Sequence, residues 1–141
     1  MALLNKIVDY SNELLEIEKF SDYCPNGLQV EGKKEVKKLA VAVTASLNVI
    51  NKAVAMKADA LLVHHGFFWG KEQQVLKGVY KEKIQLLLKN NISLLAYHLP
   101  LDAHQELGNN WGAFIEMGFK NLEPFGFLSG QPLGVKAKCK P

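Results

Sequence analysis

All four histidines of this chain fall in two places. His64 and His65 close the apolar run Ala60-Leu61-Leu62-Val63, with Gly66 next. His98 closes the run Leu94-Leu95-Ala96-Tyr97, with Asp102 and His104 just beyond. Open α/β sheets place their ligands at the carboxyl ends of strands. Two buried strands that deliver imidazoles and a carboxylate there describe part of a metal site. Adjacent strand residues point to opposite faces, so His64 and His65 do not easily chelate one ion. At a strand end turning through Gly66 they can diverge toward two. The spacing therefore favours a two-metal centre over a plain histidine pair in a turn.

His98 and Asp102 are four residues apart, but Pro100 between them argues against a shared helix face. The segment Leu99-Pro100-Leu101 is expected as a loop that folds Asp102 back toward the strand end, as a terminal or bridging ligand. His98 is then a further ligand or a proton carrier. The competing role for Asp102, or for Asn109, is to cap the helix that follows. His104 reads as a solvated loop residue. Phe67, Phe68 and Trp69 read as packing more than as pocket walls. Gly108-Asn109-Asn110 opens a helix whose free N–H groups could hold an anion, although the chain carries no phosphate-loop signature.

The elements that must position these residues follow from hydrophobic periodicity. Leu3, Leu4, Ile7, Val8, Leu14 and Leu15 recur at helical spacing, opposite Lys6, Asp9, Glu13 and Glu16, and predict an amphipathic first helix. Ser21 to Gly32, punctuated by Pro25, Gly27 and Gly32, reads as a loop. Leu39 to Val43 is a short apolar run expected as a strand covered on both faces. Ser46 is placed to cap a helix with Val49, Ile50, Ala53, Val54 and Met56 inward. Ala60 to Val63 is the second strand, Lys81 to Asn90 a helix with Ile84, Leu87 and Leu88 inward, and Ile92 to Tyr97 the third strand. Leu107 to Met117 is the last helix, with Gly118 at its left-handed cap. The fold class is therefore α/β: an N-terminal amphipathic helix, then β-α-β-α-β-α around a mostly parallel sheet with right-handed crossovers. The long connection Gly66 to Gly78 is expected to be a functional or contact surface. Phe125 to Leu128 reads as an edge strand, and residues 129–141 as a polar, linker-like tail.

The chain's 141 residues suit one domain, and 48% hydrophobic with 22% charged residues are ordinary for a soluble protein. No apolar run approaches the roughly 18 residues of a membrane span, and Lys6, Asp9 and Glu13 interrupt any signal-peptide pattern. A cytoplasmic location is expected. Cys24 and Cys139 lack partners at metal-site spacing and read as incidental thiols. The net charge of +3 lives in Lys136, Lys138 and Lys140, and there is no arginine at all. A neutral body without guanidinium groups disfavours nucleic-acid binding.

Four separated stretches, in this order and spacing, resemble the GTP cyclohydrolase 1 type 2 homolog family. They are Ser21-Asp22-Tyr23-Cys24-Pro25-Asn26-Gly27-Leu28-Gln29-Val30-Glu31-Gly32, Val43-Thr44-Ala45-Ser46, Val63-His64-His65-Gly66 with Trp69, and His98-Leu99-Pro100-Leu101-Asp102-Ala103-His104. The likeness covers residues 1–128 and corresponds to the N-terminal half of that family. It implies a cytosolic α/β protein that assembles as a homo-oligomer, a ring-shaped hexamer, with pairs of divalent metal ions facing an inner cavity. By resemblance His64, His65 and Asp102 are metal ligands, and His98 lines the same pocket.

The family's other ligands lie in a His-x-x-x-Glu motif on a second half. This sequence has none, since no histidine follows His104. Two imidazoles and one carboxylate are too few for two ions, so partial, weak metal binding is expected, with zinc, manganese, iron and nickel not distinguishable. The implied function is metal-dependent hydrolysis of GTP or a modified nucleotide. The alternative is a non-enzymatic metal-binding or oligomeric scaffold protein.

Overall fold

The structure is a computed structural model that describes residues 1–70 and 75–139. Its centre is a four-stranded sheet ordered β2-β6-β5-β4, made of β2 (Gly27–Val30), β4 (Leu39–Thr44), β5 (Ala60–His65) and β6 (Ser93–Ala96). β4, β5 and β6 run parallel in the register Val41↔Leu62↔Leu95, and β2 joins β6 antiparallel at the edge. The crossovers are α2 (Leu47–Ala55) and α3 (Gly78–Lys89). The expected order, an α/β chain with a mostly parallel sheet, is the one observed.

Period-2 alternation sorts the strand residues between two cores. Leu61 and Val63 of β5, with Leu94 and Ala96 of β6, pack with Ile50 and Ala53 of α2 and Leu87 of α3. Ala60 and Leu62, with Leu95 and Tyr97, pack on the other face with Leu4, Ile7 and Val8 of α1 (Leu4–Leu14). Both central strands are thus covered on both faces, and their carboxyl ends are fixed.

β4 is different. Ala40 and Ala42 join the helix-covered face, but α1 packs with residues of β2, β5 and β6 and none of β4. Val41 is 73% and Val43 66% exposed. The expectation of a strand covered on both faces fails because an apolar run does not say how far the covering helix extends.

Helix ends follow their cap chemistry. Ser46 Oγ accepts from Val49 N, as expected. α5 (Asn109–Glu116) ends with Gly118 N donating to Ile115 O and Phe119 N to Phe114 O, while Gly118 takes φ +80° and the Phe114 and Phe119 rings meet. That is a Schellman cap with its hydrophobic contact. Met56 and Leu88, expected inward, are exposed. Met56 falls on the C-cap of α2, beyond its packed face.

Three further expectations are corrected. Residues 27–30, inside the expected loop, form β2, and a minor ladder pairs β1 (Ala2–Leu3) with β3 (Glu35–Val36). Leu99-Pro100-Leu101 is not a loop but opens α4 (Leu99–Ala103), since proline is tolerated in the first turn, where its missing N–H has no helical partner. In the tail, β7 (Glu123–Leu128) and β8 (Gln131–Lys136) make a hairpin around Ser129-Gly130, both at positive φ. Such a two-residue turn matches strand twist, and a two-stranded ribbon accommodates Pro132. Of the long connection and the tail, residues 71–74 and 140–141 lie outside the described residues.

Candidate metal centre

β5 delivers His64 and His65, and β6 runs into His98 through Tyr97. The ring centroids lie 4.4 Å apart for His64–His65, 5.0 Å for His64–His98 and 5.7 Å for His65–His98. The ligand-capable nitrogens of all three fall within 4.8 Å of one another. His64 and His65 thus lie side by side at the strand end, with ligand-capable nitrogens close enough to serve one ion or two neighbouring ones.

Each ring is anchored through Nδ1 to a different element. His64 Nδ1 lies 2.9 Å from Tyr97 O, which only accepts, so this nitrogen carries a proton. His65 Nδ1 lies 3.1 Å from Thr44 Oγ1, at the end of β4. His98 Nδ1 lies 3.1 and 3.3 Å from the two oxygens of Asp22. Burial pushes the His65 pKa down, helped by the neighbouring His64 and His98 and opposed by Asp102, so a neutral, ligand-ready ring is favoured.

α4 brings Asp102 to the same place. Its N–H donates to His98 O at 3.1 Å, and its Oδ1 lies 3.5 Å from His64 Nε2. Helical geometry, not a loop, thus returns the carboxylate to the strand end. Asp102 does not cap α5, whose N-cap is Gly108, and Asn109 is no cap either but donates its amide to Asp102 Oδ1 at 2.8 Å. His104 stands apart, half-buried, with Nδ1 accepting from Glu106 N and Leu107 N. It organises a turn instead of being free in solvent.

Sequence reasoning missed the segment that supports these rings. Asp22 accepts from Tyr23 N at 2.7 Å, Asn26 Nδ2 at 2.9 Å, Leu99 N at 3.0 Å and Cys24 Sγ at 3.6 Å, in addition to His98. Burial works against its charge, but the bonds from Asn26, Leu99 and His98 hold its pKa below the ordinary carboxylate value. Burial, with the adjacent Asp22 carboxylate, pushes the Cys24 thiol up to about 12. Cys24 is therefore a protonated donor to Asp22 and not an incidental thiol. Asn26 Oδ1 accepts from His98 N at 2.7 Å. Gln29 Oε1 accepts from Phe67 N at 2.6 Å and fixes the turn after His65. Gly66 must be glycine, because a Cβ would overlap Gln29 Oε1 and lie 2.6 Å from Ala96 Cβ. The segment carries two signals, the density of short polar side chains around Pro25 and Gly27 and its place among the four stretches that resemble the family.

The aromatic trio divides. Phe67 is core, in edge contact with Phe68 and Tyr80. Trp69 instead meets His98 edge-on at 5.2 Å, beside Tyr23 at 5.3 Å from the same ring.

Three imidazoles and a carboxylate make a borderline donor set that suits zinc, manganese, iron or nickel. The fit has a specific observation behind it. With the proton on Nδ1, His64 Nε2 and Asp102 Oδ1 turn lone pairs toward each other at 3.5 Å, an arrangement that calls for a positive charge between them.

A Chlamydia trachomatis protein named "GTP cyclohydrolase 1 type 2 homolog" is 50% identical over 135 residues, covering 94% of this chain and 53% of that protein. A protein of the same name from Archaeoglobus fulgidus is 45% identical, covering 97% of this chain and 56% of its own length. The crystal structure of TTHA1606 from Thermus thermophilus superposes with a TM-score of 0.84 at 42% identity, over 88% of this chain and 51% of that one. The chain spans about half the length of the curated relatives it matches. Among the described residues, no helix is long and apolar enough to cross a membrane. The model of the Duf34/NIF3 (NGG1p interacting factor 3) family matches residues 2–140, and the chain belongs to that family.

Proposed function

We propose that this chain binds a divalent metal ion at the carboxyl ends of β5 and β6 through His64, His65 and Asp102. In the complete protein it contributes this set to a two-ion hydrolytic centre acting on GTP or a modified nucleotide. The observation that carries the reading is the His64–Asp102 pair: a lone pair and a carboxylate facing each other at 3.5 Å, with two more imidazoles converging beside them. Either a second proton or a metal ion satisfies that pair, and the convergence of three rings favours the metal.

A divalent ion held there supplies Lewis acidity and makes water a nucleophile near neutral pH. The chain's own residues bind and orient. Tyr97 O fixes the His64 tautomer, Thr44 steadies His65, Asn109 holds the Asp102 carboxylate, and His98 either completes the ligand set or carries a proton. Among the described residues this set falls short of what two ions require, so this chain alone takes up metal partially and weakly. We place the protein in the cytoplasm, as a homo-oligomer built as a ring. Exposed Val41 and Val43 on β4 and Phe125 and Phe127 on β7 support self-association.

The second reading, a metal-binding scaffold without turnover, draws on the same donor shortage. Assays with GTP and added manganese or zinc separate the two. Metal-dependent turnover that is lost in His65→Ala supports hydrolysis, and metal uptake without turnover supports the scaffold.

A further inference from the structure

Resting on the reading that the centre acts on a nucleotide, we propose that Tyr23, backed by Trp69, is the surface on which the planar base of that nucleotide stacks. This chain then recognises the ring of its substrate and takes no hold of the phosphates.

Tyr23 is 59% exposed, although the chain around it is fixed. Its N–H donates to Asp22 Oδ1 at 2.7 Å, and its carbonyl accepts from Gly70 N at 2.7 Å. The Asp22 side chain and Cys24, on either side of it, are buried. The backbone is therefore anchored here and the ring is turned outward. The bond from Gly70 also ties Tyr23 to the segment after β5 that carries Trp69. The two ring centroids lie 6.0 Å apart, with planes tilted by 35°. A third ring between them would need about 7 Å, two layers at a van der Waals separation of about 3.5 Å. The pair is closed to insertion and offers a ligand its outer face, that of the exposed Tyr23.

This aromatic surface adjoins the candidate metal centre. Tyr23 and Trp69 meet His98 edge-on at 5.3 and 5.2 Å, and Trp69 lies 6.1 Å from His65. A flat ligand against Tyr23 therefore sits beside the strand-end donors. The choice of base over phosphate follows from what the chain lacks. It has no arginine and no phosphate-loop signature, so it offers no bidentate phosphate clamp and no glycine-rich cradle. What it does supply is π surface, which every base can use. Removing the aromatic partner of a stacked base costs about 5–150-fold in affinity.

The test uses the full chain, freed of metal by a chelator, with its tyrosine and tryptophan rings labelled for NMR. Guanosine monophosphate is the probe, and ribose phosphate, which lacks the base, is the control. The probe should move the Tyr23 and Trp69 ring signals upfield and saturably, as a ring stacked on them does, and the control should not. Tyr10, exposed to a similar degree but without a ring contact to any histidine among the described residues, should stay in place. Tyr23→Ala should weaken binding about tenfold or more, and Tyr23→Phe, which keeps the π face, by less than about twofold. Should Tyr23→Ala fold poorly, Tyr23→Leu, with apolar bulk but no π face, takes its place. Shifts elsewhere but not at Tyr23, equal shifts with ribose phosphate, or unchanged affinity in Tyr23→Ala overturn the stacking role alone. Absence of any binding of guanosine monophosphate, with or without zinc, overturns the nucleotide reading and the stacking role with it.

Discussion

Asp22 and Asp102 both face an imidazole, yet their surroundings have little in common. Asp22 has a side chain only 3% exposed, and donors meet both of its oxygens. Asp102 is 21% exposed, receives one amide from Asn109, and turns an oxygen toward His64 Nε2 at 3.5 Å. The first carboxylate is closed by the protein, while the second is left with capacity for a cation. Two Asp–His contacts of similar length therefore do different things, and counting donors around each oxygen tells them apart where distance does not.

The comparison can be broken by substitution. Asp22→Ala leaves Leu99 N, the Asn26 amide and His98 Nδ1 without their acceptor. Unfolding in urea should show a loss of about 3 kcal/mol. A loss as large in Asp102→Ala, measured without metal, would erase the distinction. Next in size, Gly66→Ala forces a methyl group against Gln29 and Ala96 in the turn after His65, and should destabilise by about 2 kcal/mol in the same experiment. Asp102→Asn should change metal-free stability by less than about 0.5 kcal/mol, as for a partly exposed group. It should nevertheless weaken zinc binding about tenfold, or roughly 1.4 kcal/mol, by calorimetry.

Asp59 provides a control at the amino end of β5, far from the histidines. It accepts from Lys33 Nζ and from the N–H groups of Lys37 and Lys38, which hold its pKa at about 2. A lowered carboxylate pKa stabilises fully above the unfolded value near 4 and loses that contribution as pH falls toward 2. The stability difference between the unsubstituted chain and Asp59→Asn should therefore be constant from pH 5 to 7 and shrink below pH 4. It should leave metal affinity untouched.

Much of the candidate site is legible in the sequence because its logic is local. An apolar run that ends in histidine states both the strand and the place where its side chain leaves the core, and this holds for His64, His65 and His98. Asp22 is not legible in that way. Its partners His98 and Leu99 are more than seventy residues away, and nothing near Asp22 distinguishes it from a turn aspartate. β2 hides for a related reason, since Gly27-Leu28-Gln29-Val30 is too short to show a period and becomes a strand only by pairing with β6. Pro100 misleads because a proline in a first turn and one in a helix interior look alike until the start of α4 is known. The exposed face of β4 depends on how far α1 reaches, which no property of Leu39 to Val43 encodes.

The central claim is that the strand-end histidines of this chain hold a divalent ion, and zinc titration of the metal-free chain tests it most directly. The protein should be set beside the His64→Ala/His65→Ala double variant in competition with a chromogenic chelator. Saturable uptake of one ion per chain, abolished in the variant, is the predicted result. No uptake, uptake that the variant retains, or two tightly held ions per chain would contradict the account.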